Sequence, residues 1–383
     1  MLFTNKEMAV HQFPMNRWTD LATELGNSFA VRAPTHDETD DFVAENYAAL
    51  KERKVFAAGV PEDLGGGGAS VADLAGMLRT LAHHCSSTAL ALSMHTHLVA
   101  TAAWRWKNQK APVDGLLKRV ATEDLVLVST GGADWLLGSG KATKVDGGYR
   151  VTGRKIFCSG APAGGLMMTT AVIDDPADGP TVLQIAVPTN AQGVRVENNW
   201  KALGMRGTGS HDISFEDVFV PDAAVALRRP SGKWHPLIHV VAMVALPVFN
   251  AVYVGVAEAA RDLAVEAARK RRDDRIVQAH AGEMENELTS AQLSLARMID
   301  IAMTMKPGAE TTVEVMCCRA ILGRGARATV DKAMDLAGGG SFLRKHALER
   351  LFRDVQGVRY HPLQEKPQNV LAGRFSFRLP FED

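Results

Sequence analysis

Four cysteines, Cys85, Cys158, Cys317 and Cys318, stand where no CxxC, zinc spacing or disulfide framework can be read. Cys317 and Cys318 are adjacent within a helical pattern and are expected to be small buried fillers. His95 and His97 lie two residues apart, which puts them on different helix faces, so no metal site is expected. At Gly140-Lys141 a phosphate loop fails twice: Trp135 stands where the first glycine is needed, and Ala142 where Ser or Thr should follow. No GxGxxG opens a helix after a strand, which argues against a Rossmann nicotinamide site. Neither GxSxG nor HExxH occurs. Lys270-Arg271-Arg272 runs straight into Asp273-Asp274 and reads as a self-compensating, solvated helix end.

The elements that would carry these residues fall into three textures. The first ~115 residues read as helical; between Val71 and Ala82, Val71, Leu74, Ala75, Leu78, Leu81 and Ala82 share one face. The breaker cluster VPEDLGGGGAS precedes that helix and leaves Ser70 as its N-cap. From about Asp124, short β-rich runs alternate with Gly and Asp turns, and Asp146-Gly147 marks a hairpin. So many short strands predict a closed or sandwiched antiparallel sheet. After Arg229-Pro230 helix returns. Met284, Leu288, Ala291, Leu295, Met298 and Ala302 form the seam of a bundle helix. Val330, Ala333, Met334 and Ala337 form another stripe, stopped by Gly338-Gly339-Gly340. Leu237 to Ala260 is long and apolar, but His239, Pro247 and Asn250 within it predict a core helix rather than a membrane span.

The chain of 383 residues carries 43 Lys and Arg against 43 Asp and Glu, so it lacks the electrostatic footprint of a nucleic-acid or polybasic membrane-surface partner. MLFTNKEMAVHQF has no basic region followed by an apolar run, so no signal peptide is expected. These features together predict a cytoplasmic protein with small-molecule partners and a large core.

Four blocks lie in order between residues 60 and 354: VPEDLGGGG (60–68), GGYRVTGRKIFCSG (147–160), LGMRGTGSHDISFEDVFVP (203–221) and AGGGSFLRKHALERLFRD (337–354). In order and wording they resemble the acyl-CoA dehydrogenase superfamily, of which the chain looks like a divergent member. The resemblance implies an α+β fold: an N-terminal α-helical domain (1–119), a middle antiparallel β-barrel or sandwich domain (120–228) and a C-terminal four-helix bundle (229–383). It further implies FAD between the last two domains and assembly as a homotetramer or homodimer.

Carried over position by position, Ser129 and Thr130 fall near the pyrimidine end of the isoalloxazine, and Phe157 and Ser159 near its N5. Donors aimed there in advance stabilise the charge that arrives with a hydride. Arg271, at the family's spacing from Gly255, falls to the pyrophosphate together with Gly338 and Gly339, where a chain passing close needs residues without Cβ. Asp134, Trp135, Arg206, Ser210 and His97 are the implied substrate contacts. Part of the glycine complement resolves into turns at Gly65–Gly68, Gly131-Gly132, Gly207/Gly209 and Gly338–Gly340, which the resemblance places around one flavin and its substrate.

The reaction so implied is α,β-dehydrogenation of an acyl-CoA thioester in fatty acid metabolism. A carboxylate takes the α-proton, the β-hydride goes to flavin N5, and electrons pass to an electron-transfer flavoprotein. Two departures bear on it. The family's substrate loop TEPxAGSD appears as STGGADWLLGSG (129–140), shorter and carrying Trp135. The family's glutamate, eight residues past the Arg-Asp pair, is here Pro362; Glu365 is the nearest acid and the candidate catalytic base, and Met243 to Phe249 offers none. A second reading is a flavin monooxygenase of the same fold, using reduced flavin and O₂ on a small, possibly aromatic substrate in a pocket lined by His95, His97, Trp135 and His361. A third is a flavin- or CoA-binding protein without turnover, which a degraded flavin segment would favour; none is visible.

Overall fold

A computed structural model describes residues 16–130 and 134–381; Gly131, Gly132 and the extreme N-terminal stretch lie outside the described residues. Among the described residues five α-helices come first, α1 (Arg17–Thr39), α2 (Ala44–Glu52), α3 (Val71–His84), α4 (Ser86–Gln109) and α5 (Asp114–Thr122). Ser70 caps α3 as expected: its Oγ accepts the Asp73 N–H at 3.2 Å while the Asp73 carboxylate accepts the Ser70 N–H at 2.9 Å. Asn16, which caps α1, donates to the same Asp73 at 2.7 Å and so fastens the two helix starts together. All six apolar residues predicted for the α3 face are buried.

Eight strands follow: β1 (Leu127–Ser129), β2 (Lys141–Val145), β3 (Gly148–Lys155), β4 (Leu166–Asp175), β5 (Gly179–Pro188), β6 (Val194–Val196), β7 (Ile213–Pro221) and β8 (Val225–Pro230). They form one sheet in the order β6-β7-β3-β2-β4-β5-β8, with β1 beside β4. The hairpin at Asp146-Gly147 is present, with Val145 opposite Gly148. The sheet is mixed where an antiparallel one was expected: β1 runs parallel to β4, and β2 meets β4 in parallel at the single pair Lys141–Val172. The reason is connectivity. β1 enters directly from the helical part, without a hairpin to reverse it. The last helix before the sheet, α5, ends at Thr122, and its last strand, β8, at Pro230.

The C-terminal part comprises α6 (Pro236–Ala268), α7 (Arg275–Thr304), α8 (Ala309–Ala337), α9 (Ala347–Val355) and α10 (Glu365–Ser376). The apolar stretch becomes α6, the central pillar, against which α3, α4, α7, α8 and α9 all pack. It is long and apolar enough to cross a membrane, yet 94% of its apolar window is buried by these neighbours, as a core helix requires. The α7 seam is buried at all six expected positions. Gly338, at φ 80°, ends α8. Cys317 and Cys318 lie on α8 but only half buried, and Cys318 packs against the helical core.

Candidate active site

Elements from all three parts of the chain converge on one string of side chains. His97, midway along α4, places Nε2 3.1 Å from Ser129 Oγ at the end of β1. Its ring meets Phe249 of α6 edge-on, with centroids 6.1 Å apart. Phe249 stacks on His361 at 4.9 Å and 30°, and His361 Nε2 lies 2.6 Å from Tyr253 Oη. Phe249 and Tyr253 are four residues apart and so share a face of α6. His361 comes from the irregular segment between α9 and α10, whose carbonyls at His361 and Leu363 accept from Arg319 of α8 at 2.7 and 2.6 Å.

Burial sets the charge of this string. It pushes His361 down to about 3, with Arg319 and His97 adding to the effect, and His97 down to about 4, with His95 adding. Tyr253 is driven above the usual phenol range by the same burial. Near pH 7 each imidazole is therefore neutral and offers one N–H and one lone pair. The string holds no carboxylate. His95 does not face it: Nε2 donates to the Phe56 carbonyl at 2.8 Å and Nδ1 accepts the Leu127 N–H at 2.9 Å. Both nitrogens are thus used, Nε2 in fastening α4 to the turn at residues 55–57 and Nδ1 in fastening it to β1, which takes the ring out of the pocket lining where it was expected.

On the β side, the segment after β3 is held by Cys158 N–H to His211 O (3.1 Å), Gly160 N–H to Thr208 O (2.9 Å) and Gly165 N–H to Val126 O (2.9 Å). Phe157 adopts φ 56°, rare for a non-glycine residue, and stands 56% exposed beside half-exposed Ile156 and edge-on to Trp200 at 5.8 Å. Next to this apolar face, Ser159 and Ser210 hydroxyls lie 2.8 Å apart, and Ser210 is 2.6 Å from Thr208, which donates to the Met205 carbonyl at 2.9 Å. Thr130 bonds Thr169 at 2.5 Å on β4. An exposed aromatic face bordered by hydroxyls is the donor set that a flat, polar-edged ring such as isoalloxazine needs, so these residues fit a flavin. Arg271 donates to the Leu336 carbonyl at 2.7 Å, which brings it to the same corner as Gly338 and Gly339, where a Cβ would meet nothing within 4 Å.

Other expected contacts are engaged elsewhere. The Asp134 carboxylate, expected at the substrate, is buried against Lys155 Nζ (2.8 Å) and Thr170 Oγ1 (2.7 Å). Burial pushes its pKa up, but the Lys155 ammonium and the bonds from Lys155, Thr170 and Ser139 outweigh that and hold it low. Trp135 has its carbonyl clamped by buried Arg229, which also bonds the carbonyls of Asp134 and Leu136, and its ring packs on the helical core. Arg206 is paired with Asp40 at the end of α1. Glu365 sits in the first turn of α10, 44% exposed, and pairs with Arg324 of α8 at 3.0 Å. Phe249, Tyr253 and Arg319 escaped the sequence reading, because an aromatic in an apolar helix signals core and a helical arginine signals surface.

The order helices, sheet, helices, with a site at the meeting of all three, defines an acyl-CoA dehydrogenase-type chain. Family models for the acyl-CoA dehydrogenase N-terminal, middle and C-terminal domains match residues 20–113, 129–218 and 247–365, and the chain belongs to that family. It is 28% identical over 370 residues to YdbM of Bacillus subtilis (strain 168), a protein named for an acyl-CoA dehydrogenase, covering 90% of this chain and 93% of that one. It is 29% identical over 353 residues to the amino sugar nitrososynthase RubN8 of Streptomyces rubradiris (86% and 82% covered). It is 27% identical over 396 residues to a pigment production hydroxylase of Rhodococcus sp. (strain ATCC 21145), with 95% and 97% covered. Among solved structures, KijD3 in complex with FMN and a dTDP-linked amino keto sugar superposes with a TM-score of 0.86 at 24% identity, covering 96% of this chain and 95% of that one.

Proposed function

We propose that this protein is a flavin-dependent monooxygenase built on the acyl-CoA dehydrogenase fold, acting on a small substrate that is not a thioester. The observation that carries this reading is the string His97–Phe249–His361–Tyr253, which holds two neutral imidazoles, buried His97 and half-buried His361, and no carboxylate to serve as the base of a dehydrogenation. Glu365 is half solvated and tied to Arg324, while Asp134 and Arg206, expected at a CoA thioester, are held by Lys155 and Asp40. Relatives named as a nitrososynthase and a hydroxylase agree with an oxygenating role.

Phe157, Ser129 and Ser159 would hold the flavin ring, and the corner of Arg271, Gly338 and Gly339 its phosphate end, whether the flavin is FAD or FMN. When bound and reduced, the flavin supplies two electrons and activates O₂, so that one oxygen atom enters the substrate and the other leaves as water. His97 and His361, each neutral, can donate a hydrogen bond from one ring nitrogen and accept one at the other without adding charge to the site, and Phe249 packs between them. O₂ as oxidant removes the need for an electron-transfer flavoprotein; a reductase that delivers reduced flavin takes its place. Homotetramer assembly is supported by apolar side chains exposed on α7 and α8, among them Leu293, Met303 and Ile321.

The test mixes the oxidised flavoprotein anaerobically with a panel of acyl-CoAs, and separately supplies reduced FMN or FAD with ¹⁸O₂ and a panel of small aromatics and amines. No bleaching by the thioesters, together with ¹⁸O in a product, is expected. Bleaching by any acyl-CoA would restore dehydrogenation.

A further inference from the structure

Arg319 is an unusual residue to find inside α8. It is 4% exposed, no carboxylate pairs with it among the described residues, and its Nε is buried without a partner. A buried guanidinium without a counter-ion is costly, and an apolar side chain of similar volume would fill the space more cheaply. What it does bond is revealing. Nη1 donates to the Leu363 carbonyl at 2.6 Å, and Nη2 donates to the carbonyls of His361 at 2.7 Å and Val358 at 3.4 Å. All three carbonyls belong to the short connection between α9 and α10, Val358 in its single 3₁₀ turn (Gln356–Arg359) and His361 and Leu363 in the irregular stretch that follows.

The geometry points to Arg319 as the positioning residue of the site: its guanidinium fastens the Val358–Leu363 turn by three carbonyls and so fixes the His361 imidazole between Phe249 and Tyr253. The planar fork reaches several acceptors at once, which a lysine head cannot reproduce. Charge adds a second effect. The groups facing His361 are Phe249 and Tyr253 from α6, His97 from α4 and Arg319 from α8; of these only Arg319 carries full charge, and a fixed cation disfavours a second one on the ring. Glu365 of α10 acts on Arg319 from outside and is itself paired with Arg324. Burial lowers Arg319 to about 10, still well above neutrality, so the cation persists at pH 7.

This inference rests on reading the site as an oxygenase, but its test does not depend on turnover. The full-length protein is labelled with ¹⁵N-histidine, and His361 is assigned through His361→Gln. In the wild type His361 stays neutral throughout the folded pH range, with an Nε2 signal shifted by the Tyr253 bond. In Arg319→Gln its titration should rise by about one pH unit and the Nε2 shift should collapse. Arg319→Lys should keep His361 neutral while product formed per reduced flavin consumed falls several-fold, because fewer carbonyls are held. An unchanged Nε2 signal and titration in Arg319→Gln overturn the proposal. Should the glutamine variant not fold, the lysine variant decides: a His361 that titrates in the ordinary histidine range there overturns it. If the wild type oxygenates nothing, the functional reading falls and the titration result still stands.

Discussion

The main-chain N–H of Met205 donates to Asp354 Oδ1 at 2.5 Å, joining the turn after β6 to α9. Asp354 is 1% exposed, and its other oxygen accepts from Ser86 at the start of α4. Beside this bond, Gly204 passes the Arg353 carbonyl so closely that a Cβ would lie 2.3 Å from it. One carboxylate thus ties the β part, the N-terminal helices and the bundle together. The motifs LGMRG and ERLFRD touch each other here and act as fasteners. Ser210 follows on one side of the joint and His361 on the other, so the joint sets the spacing between the hydroxyls and the imidazole string.

Asp354→Ala should therefore destabilise the protein by about 3 kcal/mol, since it leaves the Met205 N–H and the Ser86 hydroxyl buried without an acceptor. Asp354→Asn keeps an acceptor for Met205 and should lose less. Burial raises the Asp354 pKa, so the folded state holds this proton more tightly than the unfolded chain does. Its contribution to stability is present at low pH and is lost as pH rises above about 4 towards the folded value. Urea denaturation against pH should show a flatter curve for Asp354→Asn than for the wild type; parallel curves would contradict the placement.

Histidines produce the opposite slope. His95 and His97 are lowered to about 4 and His361 to about 3, chiefly by burial. Each stabilises fully above its unfolded value of about 6.5, and that stability is lost as pH falls towards the folded values, at up to about 1.4 kcal/mol per pH unit per residue. Acid unfolding should begin near pH 5 to 6, well above the ordinary carboxylate range. His97→Gln should remove about a third of the slope. A thermal midpoint that falls equally steeply with pH in both proteins would show that His97 is not buried neutral.

The Lys155–Asp134 pair anchors the loop that carries Trp135. Lys155→Met leaves a carboxylate buried alone and should cost about 3 to 5 kcal/mol, whereas the double change Lys155→Met, Asp134→Leu should recover much of it. Guanidinium denaturation followed by tryptophan fluorescence measures both. A loss under about 1 kcal/mol in the single variant would match an exposed pair and refute the burial.

The legible parts of this molecule were the local ones. Ser70 before an apolar face, Asp146-Gly147 between strands, the α7 seam and the glycine stop after α8 each depend on residues a few positions apart, and each formed as read. The order of motifs fixed the domain sequence. Partners far apart in sequence were not legible: Tyr253 meets His361 across 108 positions and Arg206 meets Asp40 across 166. Asp134 was placed at the substrate by the resemblance of its loop, and nothing near it in sequence announced that Lys155 would be buried beside it. Phe249 and Tyr253 were hidden for the converse reason: they are core residues by composition, and only the fold shows that the core is also the wall of the site.

Glu365→Gln separates the two chemistries. In a dehydrogenase this carboxylate would have to reach the substrate α-proton from a dry, apolar place, where a raised pKa suits it to act as base. Instead its Oε1 accepts from Arg324 at 3.0 Å on the outer side of α8, with 44% of the side chain in solvent. A pair so exposed contributes at most about 1 kcal/mol. Glu365→Gln should therefore change oxygenation turnover by less than about twofold and leave the midpoint of thermal unfolding within a few degrees. The same variant in the anaerobic acyl-CoA assay gives the contrary sign if the proposal is wrong. Wild-type bleaching that the substitution reduces by more than about a hundredfold would make Glu365 the base, and the α10 start would then have to swing inward on binding substrate. The neutral pair His97 and His361 makes the first outcome the expected one, because both rings lie on the string that begins at Ser129 while Glu365 lies outside it.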